Sequence, residues 1–156
     1  MAGADPPAGL ALGQDPAQEE PYEAWQPRGW KLAHLAAVAR LRLWLQDRYP
    51  GASWESERAI RRRWATVHRA SRIDTRTRYA DGGLHLSDGR AVGVEVELHV
   101  KKAHLYQGIV ADQDPQWTAG VWWFTPPAQV QLLRTRLADA GAAGHQVYQL
   151  PAGVGR

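Results

Sequence analysis

Cysteine is absent from all 156 residues, so neither a disulfide framework nor a thiolate metal centre can form. No apolar run approaches the ~20 residues that a membrane-spanning helix needs. No internal repeat is visible. Residues 1–24 hold no lysine or arginine, only acids at Asp5, Asp15, Glu19, Glu20 and Glu23. They therefore lack the basic start and apolar core of a secretory signal. A soluble, cytoplasmic chain is the expectation. Lysine is also missing between residues 40 and 80.

What fills residues 40–80 is arginine, eleven of them against four acids. Arg58, Arg61, Arg62, Arg63, Arg69, Arg72, Arg76 and Arg78 form its dense part. The planar guanidinium fork binds phosphate bidentately, which makes a nucleic-acid backbone the natural partner. A solvated basic face is the plain alternative. Hydrophobic residues make up 44% of the chain, enough for one buried core. The expected organisation is a disordered acidic tail at 1–28, a single domain at 29–150 and a flexible end at 151–156. The tail is too rich in Ala, Gly, Pro and acids to bury a core.

Residues 31–49 read as a helix, with Leu32, Leu35, Ala39 and Leu43 on its core face and Val38, Leu41 and Leu45 widening it. Ser53 reads as the N-cap of a second helix, with Glu55 and Glu57 in its first turn. A hairpin follows, over about 82–87 and 91–100, with its turn at Asp88-Gly89. A helix is expected at 102–112, weakened by Gly108. The apolar run at 119–124 suits a central strand. Thr125-Pro126-Pro127 opens the next helix, closed by Gly141, and 146–150 forms a last strand. The predicted order is α-α-β-β-α-β-α-β, a mixed sheet flanked by helices.

Two acids interrupt the hairpin where apolar residues are expected. A period of two puts Glu95 and Glu97 on one face and Val94, Val96 and Leu98 on the other. Like charges on one face repel, and a hard cation with oxygen ligands would turn that cost into binding. Asp81 begins the same hairpin fourteen positions earlier. A two-residue turn would set Asp81 opposite Val96, on the wrong face. A one-residue bulge, predicted at Gly82-Gly83, would bring the three acids together. Lys101 and Lys102 follow the acids.

Asp81, then Glu95-x-Glu97 and a following lysine, resembles the PD-(D/E)XK nuclease pattern in its Glu-x-Glu variant. More narrowly, Trp54-Glu-Ser-Glu-Arg-Ala-Ile-Arg-Arg-Arg63, Asp81-Gly-Gly-Leu-His-Leu86 and Val94-Glu-Val-Glu-Leu-His-Val-Lys101 resemble the replication-relaxation family of plasmids and mobile elements. The likeness spans about residues 50–140, and Gly120-Val-Trp-Trp-Phe124 fits its order. It implies a restriction-endonuclease-like α/β core. Asp81, Glu95 and the Val96 carbonyl would then hold Mg²⁺ or Mn²⁺, with Glu57 as a further acid brought to the metal. Glu97 or Lys101 would orient water. The chain departs from the pattern at Tyr79, where histidine is frequent, at Ala80, where proline is usual, and at Glu97, where lysine more often stands.

The resemblance leaves two readings with one fold. One is a metal-dependent endonuclease acting on DNA in plasmid or mobile-element replication or transfer. The other is a non-catalytic DNA-binding replication accessory protein. A homodimer or a larger replication or transfer complex is compatible with both. A protein-interaction module built on the eight tryptophans is a separate alternative.

Overall fold

The computed structural model of the chain describes residues 29–67 and 77–155. The expected tail at 1–28 and the arginines Arg69, Arg72 and Arg76 lie outside these residues. The elements run α1 (Gly29–Arg48), β1 (Ser53–Ser56), α2 (Glu57–Val67), β2 (Gly82–His85), β3 (Ala91–Val96), α3 (His104–Gln113), β4 (Val121–Thr125), α4 (Val130–Asp139) and β5 (His145–Gln149). The five strands form one sheet in the order β1-β2-β3-β4-β5. β1, β2 and β3 pair antiparallel, whereas β3, β4 and β5 pair parallel. The chain is thus a mixed α/β fold, with each parallel connection made through a helix. No helix among the described residues is long and apolar enough to cross a membrane.

Helix α1 covers one face of the sheet. Ala37, Leu41 and Leu45 are its buried stripe, against Leu84, Val92, Val94, Val96, Trp122 and Phe124. Leu32, Leu35 and Leu43, expected on the core side, are exposed. Apolar residues occur around most of this helix, so spacing alone does not select the face that meets the sheet. Ile60 from α2, Tyr106, Ile109 and Val110 from α3, and Leu133 and Leu137 from α4 cover the opposite face. Val154, beyond the last strand, packs into the α1 core.

The order differs from the predicted one by a strand. Residues 53–56 pair with β2 instead of opening a helix, so Ser53 is not a cap. Alternation explains the outcome. Trp54 turns to the α1 core, and Glu55 turns to the other face, where it meets Arg63 and His85. The helix starts three residues later, where Ser56 Oγ accepts the Ala59 N–H at 3.3 Å. Thr125 is likewise not a cap. It ends β4 fully buried, and its hydroxyl donates to the Glu97 carbonyl at 2.7 Å. A short 3₁₀ turn, Pro127–Gln129, leads into α4 instead.

The tight hairpin depends on its glycines. Gly83 and Gly93 pair across β2 and β3, and the Trp117 ring lies flat on both. A Cβ would stand 2.2 Å from Trp117 at Gly83 and 2.7 Å at Gly93. On the reverse face, a Cβ at Gly82 would stand 1.9 Å from Trp54. The predicted bulge at Gly82-Gly83 does not occur, because these residues lie in a regular ladder. They are glycine because two indoles approach the backbone there.

Candidate functional site

The one-residue shift that the acids require is present, but in the turn. Leu86 N–H donates to the Arg90 carbonyl at 2.8 Å and Gly89 N–H to the Leu86 carbonyl at 3.1 Å. Three residues, 87–89, therefore make the loop, with Gly89 at φ 87° supplying the left-handed position that such loops need. Gly82 consequently faces Val94, and one step further the register sets Asp81 opposite Glu95. Glu95 shares the face of Gly83 and Gly93, whereas the Asp81 carboxylate sits at the strand end between Glu95 and His34 of α1.

Asp81 continues the sheet with its side chain. Its Oδ2 accepts the Val96 N–H at 2.8 Å, and its Oδ1 meets His34 Nε2 of α1 at 2.9 Å. The Asp81 hydrogen bond raises the His34 pKa against the opposing effect of burial. Glu95 lies against Asp81 and accepts a hydrogen bond from Gln113 Nε2 of α3. Burial, and then the charge of Asp81, push the Glu95 carboxyl well above the usual carboxylate range. Gln113 is itself fully buried, and its Oε1 has no partner among the described residues.

Glu97 is only 4% exposed and follows on the same face. Lys101 Nζ donates to its Oε2, and the Tyr106 hydroxyl donates to the same oxygen at 3.2 Å. Lys101 does not continue the strand, as the expected 91–100 span would require. β3 ends at Val96, and Gln129 pins the following loop by accepting from Val100 N–H at 2.8 Å and donating to the Leu98 carbonyl at 2.9 Å. The turn of that loop returns Lys101 to Glu97. Burial pushes the Tyr106 phenol above its ordinary value, and Glu97 adds to the effect.

A cavity of about 440 Å³ lies at the carboxyl end of β3. Its walls include Trp30, His34, Asp81, Glu95, Glu97 and Lys101. In open α/β sheets this end is the usual place for ligands. Asp81 also borders a second cavity of about 430 Å³, shared with Leu35, Arg42, Leu43, Trp54, Glu57 and Arg58. Asp81 is the residue the two cavities share.

The remaining expected residues fall in different places. Glu57 stays on α2, bound to Arg61 Nε at 2.9 Å, and does not join Glu95. Arg61 also lies 5.0 Å over the Tyr79 ring. Arg63 holds Glu55 through two hydrogen bonds and lies 5.2 Å over Trp117. Burial would raise the Glu55 pKa, but Arg63 and His85 bring it below the ordinary range. Arg78 N–H donates to Asp112 at 3.0 Å, and its guanidinium occupies the space that a side chain at Gly108 would fill. Arg58 and Arg62 are exposed and form no ion pair among the described residues.

His34, Tyr106 and Gln113 belong to this site and were not evident from the acid pattern. Signals for them exist in the helices. His34 falls on the same stripe as Ala37, Leu41 and Leu45. Gln113 stands at the i+7 place of the stripe Tyr106, Ile109, Val110. A polar residue at a core position needs a partner, and both partners are carboxylates.

The donor set suits a hard cation, since Asp81 and Glu95 bring oxygens together in a half-buried place where their charges are unfavourable without one. Among the described residues, no three His, Asp or Glu side chains already converge as a complete ligand set. A cation there would draw its other ligands from backbone oxygen and water. No protein-family model matches the chain, and a comparison with curated proteins found no match.

Proposed function

We propose that this chain is a DNA-binding protein with a restriction-endonuclease-like core, whose acids hold Mg²⁺ or Mn²⁺ to cut a phosphodiester. One observation carries the reading. Asp81 and Glu95 face each other at the carboxyl end of β3, while Val96 N–H is fixed on Asp81. The Val96 carbonyl leaves the strand on the same edge as its N–H, towards Asp81. Asp81, Glu95 and that carbonyl would hold the metal. The metal would polarise the phosphate and lower the pKa of bound water.

The residues around it have distinct tasks. His34 and Val96 N–H hold the Asp81 carboxylate in place. Gln113 orients Glu95. Lys101 supplies next to Glu97 the positive charge that a lysine at position 97 would otherwise bring, and Tyr106 holds the Glu97 oxygen that Lys101 meets. Exposed Arg58 and Arg62 give α2 a surface for backbone phosphates. An antiparallel β2–β3 hairpin followed by the parallel β3–α3–β4 crossover supports the restriction-endonuclease-like assignment. The action on plasmid or mobile-element DNA, in a homodimer or larger complex, follows the sequence resemblance.

The second reading is a non-catalytic DNA-binding accessory protein, favoured by the closed Glu97–Lys101–Tyr106 contact, which occupies the candidate water-activating groups. Incubating supercoiled DNA with the protein and Mn²⁺ separates the two. Nicking that is lost in Asp81→Asn supports the nuclease. Salt-dependent binding without nicking supports the accessory protein.

A further inference from the structure

Trp30 is 68% exposed, yet it forms part of the wall of the cavity that contains Asp81, Glu95 and Glu97. An indole this open contributes little to the core. Its position on α1 is informative. Trp30 and His34 stand four residues apart in the helix, so their side chains lie on one face about 6 Å apart. His34 holds Asp81 at 2.9 Å. The indole therefore stands one helical turn from the histidine that holds Asp81, and it lines the same cavity as the acids. Leu98 and His99 also line the cavity.

We infer that Trp30 is a stacking platform for an unpaired nucleobase, and that the substrate strand is single-stranded or frayed where it meets the acids. This rests on the DNA reading above and adds the substrate class to it. The cavity, about 440 Å³, has the volume to take one nucleotide. A base inside a duplex would have to leave its stack to reach Trp30. Stacking on an aromatic face tolerates any base, so the platform sets strand form and not sequence. Arg42 and Arg58 border the neighbouring cavity, which shares Asp81 with this one. A strand lying across Asp81 would put its phosphates towards the arginines and one base on the indole.

The test is fluorescence anisotropy with a labelled single-stranded oligonucleotide and a blunt duplex, in Ca²⁺ to prevent cleavage. Trp30→Ala should weaken single-strand binding by roughly 5- to 150-fold, the range for loss of one stacked base. Trp30→Phe should restore most of it, and duplex affinity should be the same in all three proteins. Mn²⁺ binding, measured in parallel, should be unchanged by Trp30→Ala. Unaltered single-strand affinity in Trp30→Ala, or equal losses on both substrates, overturns the platform while leaving the DNA reading in place. Wild-type protein that binds neither oligonucleotide overturns both.

Discussion

Asp81 stands opposite Glu95 because three residues, not two, turn the β2–β3 hairpin. The consequence is a pair of carboxyls that share a half-buried place, and a Glu95 pKa raised by burial and by Asp81. A raised carboxyl pKa means that the folded chain holds this proton more tightly than the unfolded chain does. Its contribution is most favourable below the unfolded value and declines as pH rises through the folded one. Glu95→Gln removes the decline while keeping an oxygen for Gln113. Thermal unfolding at pH 5 and pH 8 should show the variant gaining stability over wild type at pH 8 and losing most of that advantage at pH 5.

The Trp117 ring on Gly83 and Gly93 holds the same hairpin flat beneath α2 and α3. Gly93→Ala should destabilise by about 1–3 kcal/mol in urea, the usual cost of overpacking. The cost belongs to the indole, so it should largely vanish in a Trp117→Ala background. Additive losses in the double variant would place the strain elsewhere.

Much of the fold is legible in the residues because most elements obey one local rule. The Asp-Gly turn, the apolar run at 119–124 and the glycine after α4 each fix an element to within a few residues. Two errors share a physical cause, namely that tertiary contacts choose among local options. Ser53 to Ser56 could cap a helix or pair as a strand, and the edge of β2 decides it. α1 is apolar around most of its circumference, and only the sheet selects Ala37, Leu41 and Leu45. In the site, the acids and Lys101 could be found from spacing. The route by which Lys101 reaches Glu97 could not, since it depends on Gln129 holding a loop from 29 residues away.

The arginines on α2 separate into two kinds, and they should behave differently. Arg58 and Arg62 are exposed and form no ion pair among the described residues, so Arg58→Ala and Arg62→Ala should each weaken DNA binding and lower the salt slope by about 1. Stability should stay within about 0.5 kcal/mol of wild type. Arg63→Ala should instead lower stability, because Glu55, partly buried on the sheet face opposite α1, loses its arginine partner. Binding titrations at several salt concentrations, together with urea melts, check both expectations.

Calorimetric titration with Mn²⁺ tests the acid pair most directly. Wild type should bind the ion at a single site, whereas Asp81→Ala and Glu95→Ala should give no more heat than buffer, and Glu57→Ala should match wild type. Identical heats for wild type and Glu95→Ala would contradict the metal site and leave Asp81 and Glu95 as a structural pair.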